Sequence, residues 1–221
     1  MSKNIVILGC PRSGTSLVAQ LVKSAGFDAD GNGTKQLMKP NPKYNPEGYF
    51  ERLDIVRLND NLLNEMDSTY NFLNPPSIND MVEFSTSGTE LAKISHELNS
   101  YNNWFIKDSR LCFTLHLYNL DNINIIKVKR NPKDVKPSMV NHYGDLFNKD
   151  VIQGPHKVSK IIFEQYYQHV DMCIDWQRKN IPSTVVNYED VISGDVSNLN
   201  EFLDKEVDSS LINPKYRNYG V

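Results

Sequence analysis

Gly9 and Gly14 bracket a turn in the stretch IVILGCPRSGTSL, directly after an apolar run. A Gly-x-x-x-x-Gly turn between a strand and a helix wraps backbone N–H groups around an anion such as a phosphate. The helix dipole adds roughly 0.3–1 kcal/mol to that attraction. A nucleotide-hydrolysing P-loop would place a lysine after Gly14, but Thr15 and Ser16 stand there. The cation comes instead from Arg12, inside the turn. Pro11 and Gly14 shape the cradle, and Ser13, Thr15 and Ser16 add hydroxyls. Cys10 invites a phosphatase reading, in which Arg follows a cysteine after five intervening residues. The sixth residue after Cys10 is Ser16, so Cys10 is expected as a small packed side chain.

A second group of cations lies in KVKRNPKDVKPSMVNHY, Lys127 to Tyr143. Arg130 ends a predicted strand, Pro132 is suited to open a helix, and Asp134 suits a first helical turn. Ser138 follows Arg130 at a spacing that can converge on one phosphate. Pro137 is expected to weaken or restart the helix, because it lacks an N–H and crowds the preceding turn. A magnesium-nucleotide enzyme wants an acid at the end of a neighbouring strand. The strand INIIKVKR ends in the opposite charge, whereas FIKD leaves Asp108 to keep a metal-dependent reading open. His96, His116, His156 and His169 form no metal-ligand pattern.

These side chains need strands and helices to position them. Strands are expected at Ile5–Leu8, Trp104–Lys107, Ile123–Lys129 and Ser183–Asn187. Helices are expected at Thr15–Ala25, Leu53–Met66, from a capping-box spacing at Ser87 and Glu90 to Leu98, at Leu111–Leu120, Val158–Arg178 and Val196–Leu203. Asp28–Tyr49 and Asn71–Asp80 read as loops. The first is long enough to be functional or mobile. Alternating strands and helices give an α/β fold with a mainly parallel sheet.

The 221 residues and net charge of −3 fit one domain, residues 1–221, and argue against a nucleic-acid partner. No apolar run approaches a membrane span, and the N-terminal run is too short for a secretory leader. Three scattered cysteines, Cys10, Cys112 and Cys173, point to reduced thiols and a cytoplasmic setting.

Taken together, these segments resemble the sulfotransferases that use 3′-phosphoadenosine 5′-phosphosulfate (PAPS) and release 3′-phosphoadenosine 5′-phosphate (PAP). PRSGTS is similar to their 5′-phosphosulfate loop and KRNPKDVKPS to their 3′-phosphate motif. FIKDSRL resembles a Lys-Asp-Pro-Arg segment, with Ser109 in place of proline. NPEGYFE and VNYEDVI resemble two further segments, and the matches keep the family's order from Ile5 to Ile192. The resemblance implies a P-loop NTPase-like three-layer fold and sulfonate transfer to a hydroxyl or amine without a required metal. It implies that Pro11 to Ser16, Arg130, Ser138 and Tyr188 hold the nucleotide, with Arg12 also stabilising charge during transfer. Members outside the histidine branch use a glutamate as base, which makes Glu51 the first candidate and Glu47 the second. His142, one helical turn beyond Ser138, is a third.

Lys107 and Arg110 are candidates beside the reacting sulfonate, or else structural partners of Asp108. Tyr44, Tyr49 and Phe50 are candidate walls for an acceptor, whether sugar, lipid, peptide or small molecule. Lys215 and Arg217 could fold over the nucleotide from a polar tail. Two other readings stay open: a P-loop kinase or NTPase, and a nucleotide-binding module without turnover.

Overall fold

The computed structural model describes residues 3–147 and 160–213. Four strands, β1 (Asn4–Leu8), β2 (Phe105–Lys107), β3 (Ile123–Lys129) and β4 (Ser183–Asn187), form one parallel sheet in the order β2-β1-β3-β4. The helices that connect them are α1 (Thr15–Ser24), α2 (Leu53–Glu65), α3 (Ile78–Glu83), α4 (Thr89–Asn99), α5 (Leu111–Thr114), α6 (Pro132–Phe147), α7 (Lys160–Gln177), α8 (Tyr188–Ser193) and α9 (Ser197–Leu203).

Every residue of β1 is buried, as a central parallel strand requires. Its side chains alternate between two cores. Ile5 and Ile7 pack with Val18, Leu21 and Val22 of α1 and with Val191, Leu199 and Leu203 of α8 and α9. Val6 and Leu8 face the other way, toward Ile55 and Leu62 of α2, Leu98 of α4, Phe113 of α5 and Val170 of α7. Each such aliphatic side chain contributes about 1.5–3 kcal/mol on burial. The result is the expected α/β layering, with helices on both faces of a parallel sheet.

Some elements depart from the sequence reading. The stretch expected as loop at Asn71–Asp80 runs into α3, whose capping box uses Ser77 and Asp80. The spacing at Ser87 and Glu90 makes no cap: Gly88 occupies that position of α4 without a side-chain bond. The helix expected at Leu111–Leu120 is α-helical only to Thr114 and then tightens to a 3₁₀ turn at Leu115–Leu117. Buried Asn59 accepts hydrogen bonds from both Thr114 and Tyr118, 2.8 Å each, which pulls the chain off the α-helical path. Pro137 does not restart α6: the helix runs through it.

Candidate functional site

The strand order creates the crevice. β1 and β3 are hydrogen-bonded neighbours, but β1 is followed later by β2 on one side and β3 by β4 on the other. Ligands of open parallel sheets bind at such a switch point, beyond the carboxyl ends of the strands. All four strands deliver a residue to one cleft there: Arg12 after β1, Lys107 from β2, Arg130 after β3 and Tyr188 after β4.

The turn after β1 is tight and strained. Arg12 and Gly14 both adopt left-handed backbone, φ 69° and 94°. The strain is costly for an arginine and cheap for a glycine. Glycine is also required at position 14 by space, because a Cβ there would lie 2.2 Å from the Tyr188 ring. At Gly9 a Cβ would meet Ser13 Oγ at 2.6 Å and the Val128 carbonyl at 3.0 Å. The hydroxyl of Ser13 is buried and has no protein partner. A buried orphan hydroxyl in an anion-binding turn is suited to a ligand oxygen. The first N–H groups of α1, at Thr15 and Ser16, have no partner within the helix, as at any helix start.

Arg12 draws the two cation motifs together. Its Nε donates to Ser138 Oγ at 3.0 Å and its Nη2 to the Tyr44 carbonyl at 3.3 Å. Arg130 Nη1 donates to the Arg12 carbonyl at 3.2 Å, and its guanidinium lies 4.5 Å over the Tyr188 ring. Arg130 Nε is buried with no partner, a second donor awaiting an acceptor. Tyr167 donates to the Arg130 carbonyl at 2.8 Å, and Glu189 accepts from the N–H of Asn131 at 2.8 Å, fixing the start of α6.

The run of cations is not one surface. Lys127 is buried and paired with Asp171 at 2.6 Å and Asp175 at 2.8 Å of α7; Lys129 also reaches Asp171, at 3.3 Å. These two fasten β3 to α7, leaving Arg130 as the member of the run that faces the cleft.

Lys107 and Arg110 take different parts. Arg110 pairs with Asp108 at 2.9 Å and with Asp60. Asp108 is only 1% exposed and also accepts from Asn59 at 2.8 Å and from the Arg110 N–H at 3.1 Å. It is held by protein donors and is not among the residues that line the cleft. Lys107, by contrast, is ion-paired with Glu51 and donates to Ser16 Oγ at 3.3 Å. Among the described residues no group of three or more His, Cys, Asp or Glu is arranged to hold a metal ion.

Glu51, Glu47 and His142 all line the cleft. Burial pushes the Glu51 carboxyl above its ordinary value, against the opposing pull of Lys107. His142, packed edge-on to the Tyr44 ring at 4.7 Å, is pushed down to about 4 by burial and by Arg12. Glu47 is exposed. Tyr49 lines the cleft, as does Tyr70, which carried no signal in the sequence. Phe50 instead packs against the α1-side core. Asn45 is the other residue missed. It opens the NPEGYFE segment, whose glutamates are the base candidates, and it donates to Ser16 Oγ at 2.9 Å. The long loop before α2 is held by its far end: Met38 N–H donates to the Glu51 carbonyl at 2.8 Å and Leu53 N–H to that of Gln36 at 2.9 Å. The three cysteines are buried and unpaired, and burial raises all three thiols. Lys215, Arg217 and His156 lie outside the described residues.

A family model for the sulfotransferase domain matches residues 2–218. The chain belongs to the sulfotransferase family. Its donor is therefore PAPS, and its reaction moves a sulfonate from PAPS to an acceptor and releases PAP. The sulfotransferase matches no curated protein in sequence. Among solved structures it is similar to the sulfotransferase domain from the curacin biosynthetic pathway, with 15% identity over 97% of this chain and 78% of that one, TM-score 0.48. It is also similar to a retinol dehydratase in complex with androsterone and inactive cofactor PAP, with 16% identity over 97% of this chain and 64% of that one, TM-score 0.43. The residues of this sulfotransferase fit a doubly anionic nucleotide: two buried, unpartnered donors, on Ser13 and Arg130, stand in the two segments that resemble phosphate motifs. Among its described residues no helix is long and apolar enough to cross a membrane.

Proposed function

We propose that this sulfotransferase holds the phosphosulfate end of PAPS with Arg12, the hydroxyls of Ser13, Thr15 and Ser16, and the first N–H groups of α1. Pro11 and Gly14 shape that turn. Arg130 and Ser138 hold the 3′-phosphate, with the Tyr188 ring backing the Arg130 guanidinium. PAPS supplies the transferable sulfonate. Glu51 accepts the proton of the acceptor hydroxyl or neutral amine as its heteroatom bonds to sulfur, and PAP departs with the electron pair of the broken S–O bond. Arg12 and Lys107 face the negative charge that builds on the departing phosphate; donors fixed in advance of the reaction stabilise such charge most effectively. The acceptor is a small molecule that enters between Tyr44, Tyr49 and Tyr70, which offer aromatic faces and hydroxyls.

The observation that carries this reading is the Glu51–Lys107 pair, which opens on the same cleft as Arg12 and Arg130. A buried carboxylate with a raised pKa beside an anion site is placed for general-base work. Glu47 is exposed to solvent, and His142, lowered to about 4, is the weaker base.

Calorimetric titration with PAP and with ATP-Mg tests the donor site. Binding of PAP in preference to ATP-Mg is expected; the reverse would sink the proposal. Transfer of label from sulfur-labelled PAPS to a panel of hydroxyl and amine acceptors separates an enzyme from a binding module.

A further inference from the structure

Ser16 Oγ stands at a junction of three segments. It receives hydrogen bonds from Asn45 Nδ2 at 2.9 Å and from Lys107 Nζ at 3.3 Å. Both partners are donors at those atoms, since neither an ammonium nor an amide nitrogen has a lone pair to offer. A serine hydroxyl has two lone pairs and one proton. The incoming bonds occupy the lone pairs, so the proton must point elsewhere. Ser16 lies on the cleft wall in the first turn of α1, where backbone N–H groups are also open to an anion. Next to Asn45 in the chain, the Tyr44 carbonyl accepts from Arg12. Residues 44 and 45 therefore hold both a cation and a hydroxyl of the phosphate turn.

We infer that Asn45 is a positioning residue for sulfonate transfer. By occupying a lone pair of Ser16, it fixes that hydroxyl as a donor aimed at the anionic end of PAPS. Through the same atom it joins the loop that walls the acceptor to the turn that holds the donor. The inference rests on the donor site proposed above. A hydroxyl free to rotate must spend orientational freedom when an anion binds; one that is pre-aimed does not. Lys107 alone does not supply this control, because it is also drawn to Glu51.

The test is a double-mutant cycle on PAP affinity, read by calorimetry, with acceptor KM measured alongside. Asn45→Ala and Ser16→Ala are each expected to weaken PAP binding about five- to tenfold, the upper range for the net effect of one hydrogen bond. Combined, they are expected to weaken it little more than either alone. Asn45→Asp keeps the shape but reverses the polarity at Ser16, and should weaken PAP binding at least as far; being nearly isosteric, it serves if the alanine variant folds poorly. Independent, multiplying effects would overturn the inference. So would a raised acceptor KM with unchanged PAP affinity in Asn45→Ala, which is the mark of a residue that only shapes the loop. A wild-type protein that fails to bind PAP would bring down the donor site itself, and the role of Asn45 with it.

Discussion

The guanidinium of Arg130 lies over the ring of Tyr188, 4.5 Å away, and its edge donates to the Arg12 carbonyl in the phosphate turn. An arginine held on two sides is pre-organised for a planar, two-point grip on a phosphate. Its unpartnered Nε marks where part of that grip is still open.

Removing this group should strike the donor selectively. Arg130→Ala is expected to weaken PAP binding by about 10- to 100-fold, the range for losing hydrogen bonds to a charged ligand. Acceptor KM at saturating PAPS should change much less. Calorimetry and steady-state kinetics check this, and unchanged PAP affinity would remove Arg130 from the site.

Glu51→Gln should lower turnover by about 10²–10⁴-fold, the typical contribution of a positioned base, and leave PAP binding close to wild type. The pH profile gives an independent check. A base works only when deprotonated, so turnover should rise with pH through the Glu51 pKa. Because burial raises that pKa, the acid limb should lie above the ordinary glutamate value. His142→Gln should leave this limb in place, since His142 titrates near 4. A limb that persists in Glu51→Gln and vanishes in His142→Gln would transfer the role to the histidine.

Gly14→Ala forces a left-handed backbone on alanine and drives its Cβ into Tyr188. Strain and overpacking of this kind cost about 1–3 kcal/mol each. A protein of this size should lose about 2–4 °C of Tm per kcal/mol. Coupling Gly14→Ala to Tyr188→Ala should relieve the clash, so that the two losses add to less than their sum. Full additivity in thermal melts would mean the ring moves aside freely.

Away from the cleft, Arg52 is buried and holds Asp54 at 2.6 Å and Glu97 at 3.1 Å, with Lys35 completing the network. Despite partial burial, the hydrogen bonds and charge of Arg52 hold the Asp54 carboxyl below its usual value. A depressed folded-state pKa contributes stability above the unfolded pKa and loses it as pH falls through the folded one. Asp54→Asn should therefore destabilise the protein near neutrality, and the gap from wild type should close in acid. Denaturant unfolding at several pH values measures this; a gap independent of pH would mean the aspartate acts only through its shape.

The sheet was legible because its strands are apolar runs ended by glycine, lysine or asparagine. α3 was not, because it is six residues long, buries Met81 alone and is capped by Asp80 where glutamate or glutamine is the familiar sign. The truncation of α5 depends on Asn59, fifty-odd residues upstream, and no local pattern announces it. At the cleft, Arg12 and Arg130 were readable because glycine spacing and a strand end declare where a side chain will emerge, whereas Glu51 was reached through the resemblance of NPEGYFE alone. The internal duty of Lys127 was hidden, since its partners lie on α7 and the charge run looked uniform. Asn45 was hidden for a similar reason: its hydrogen bond to Ser16 is made by the tertiary path of a loop with no periodicity.

The pairing of β1 with β3 runs unbroken from Asn4 opposite Ile123 to Leu8 opposite Lys127. The turn carrying Arg12 and the strand end carrying Arg130 therefore leave two neighbouring strands of one backbone ladder, strands that lie about 4.8 Å apart. Their separation is a property of peptide geometry and is insulated from substitutions in either core. The sheet acts as a ruler. Substitutions in the acceptor wall therefore leave the spacing of these two strand ends untouched, because main-chain pairing sets it.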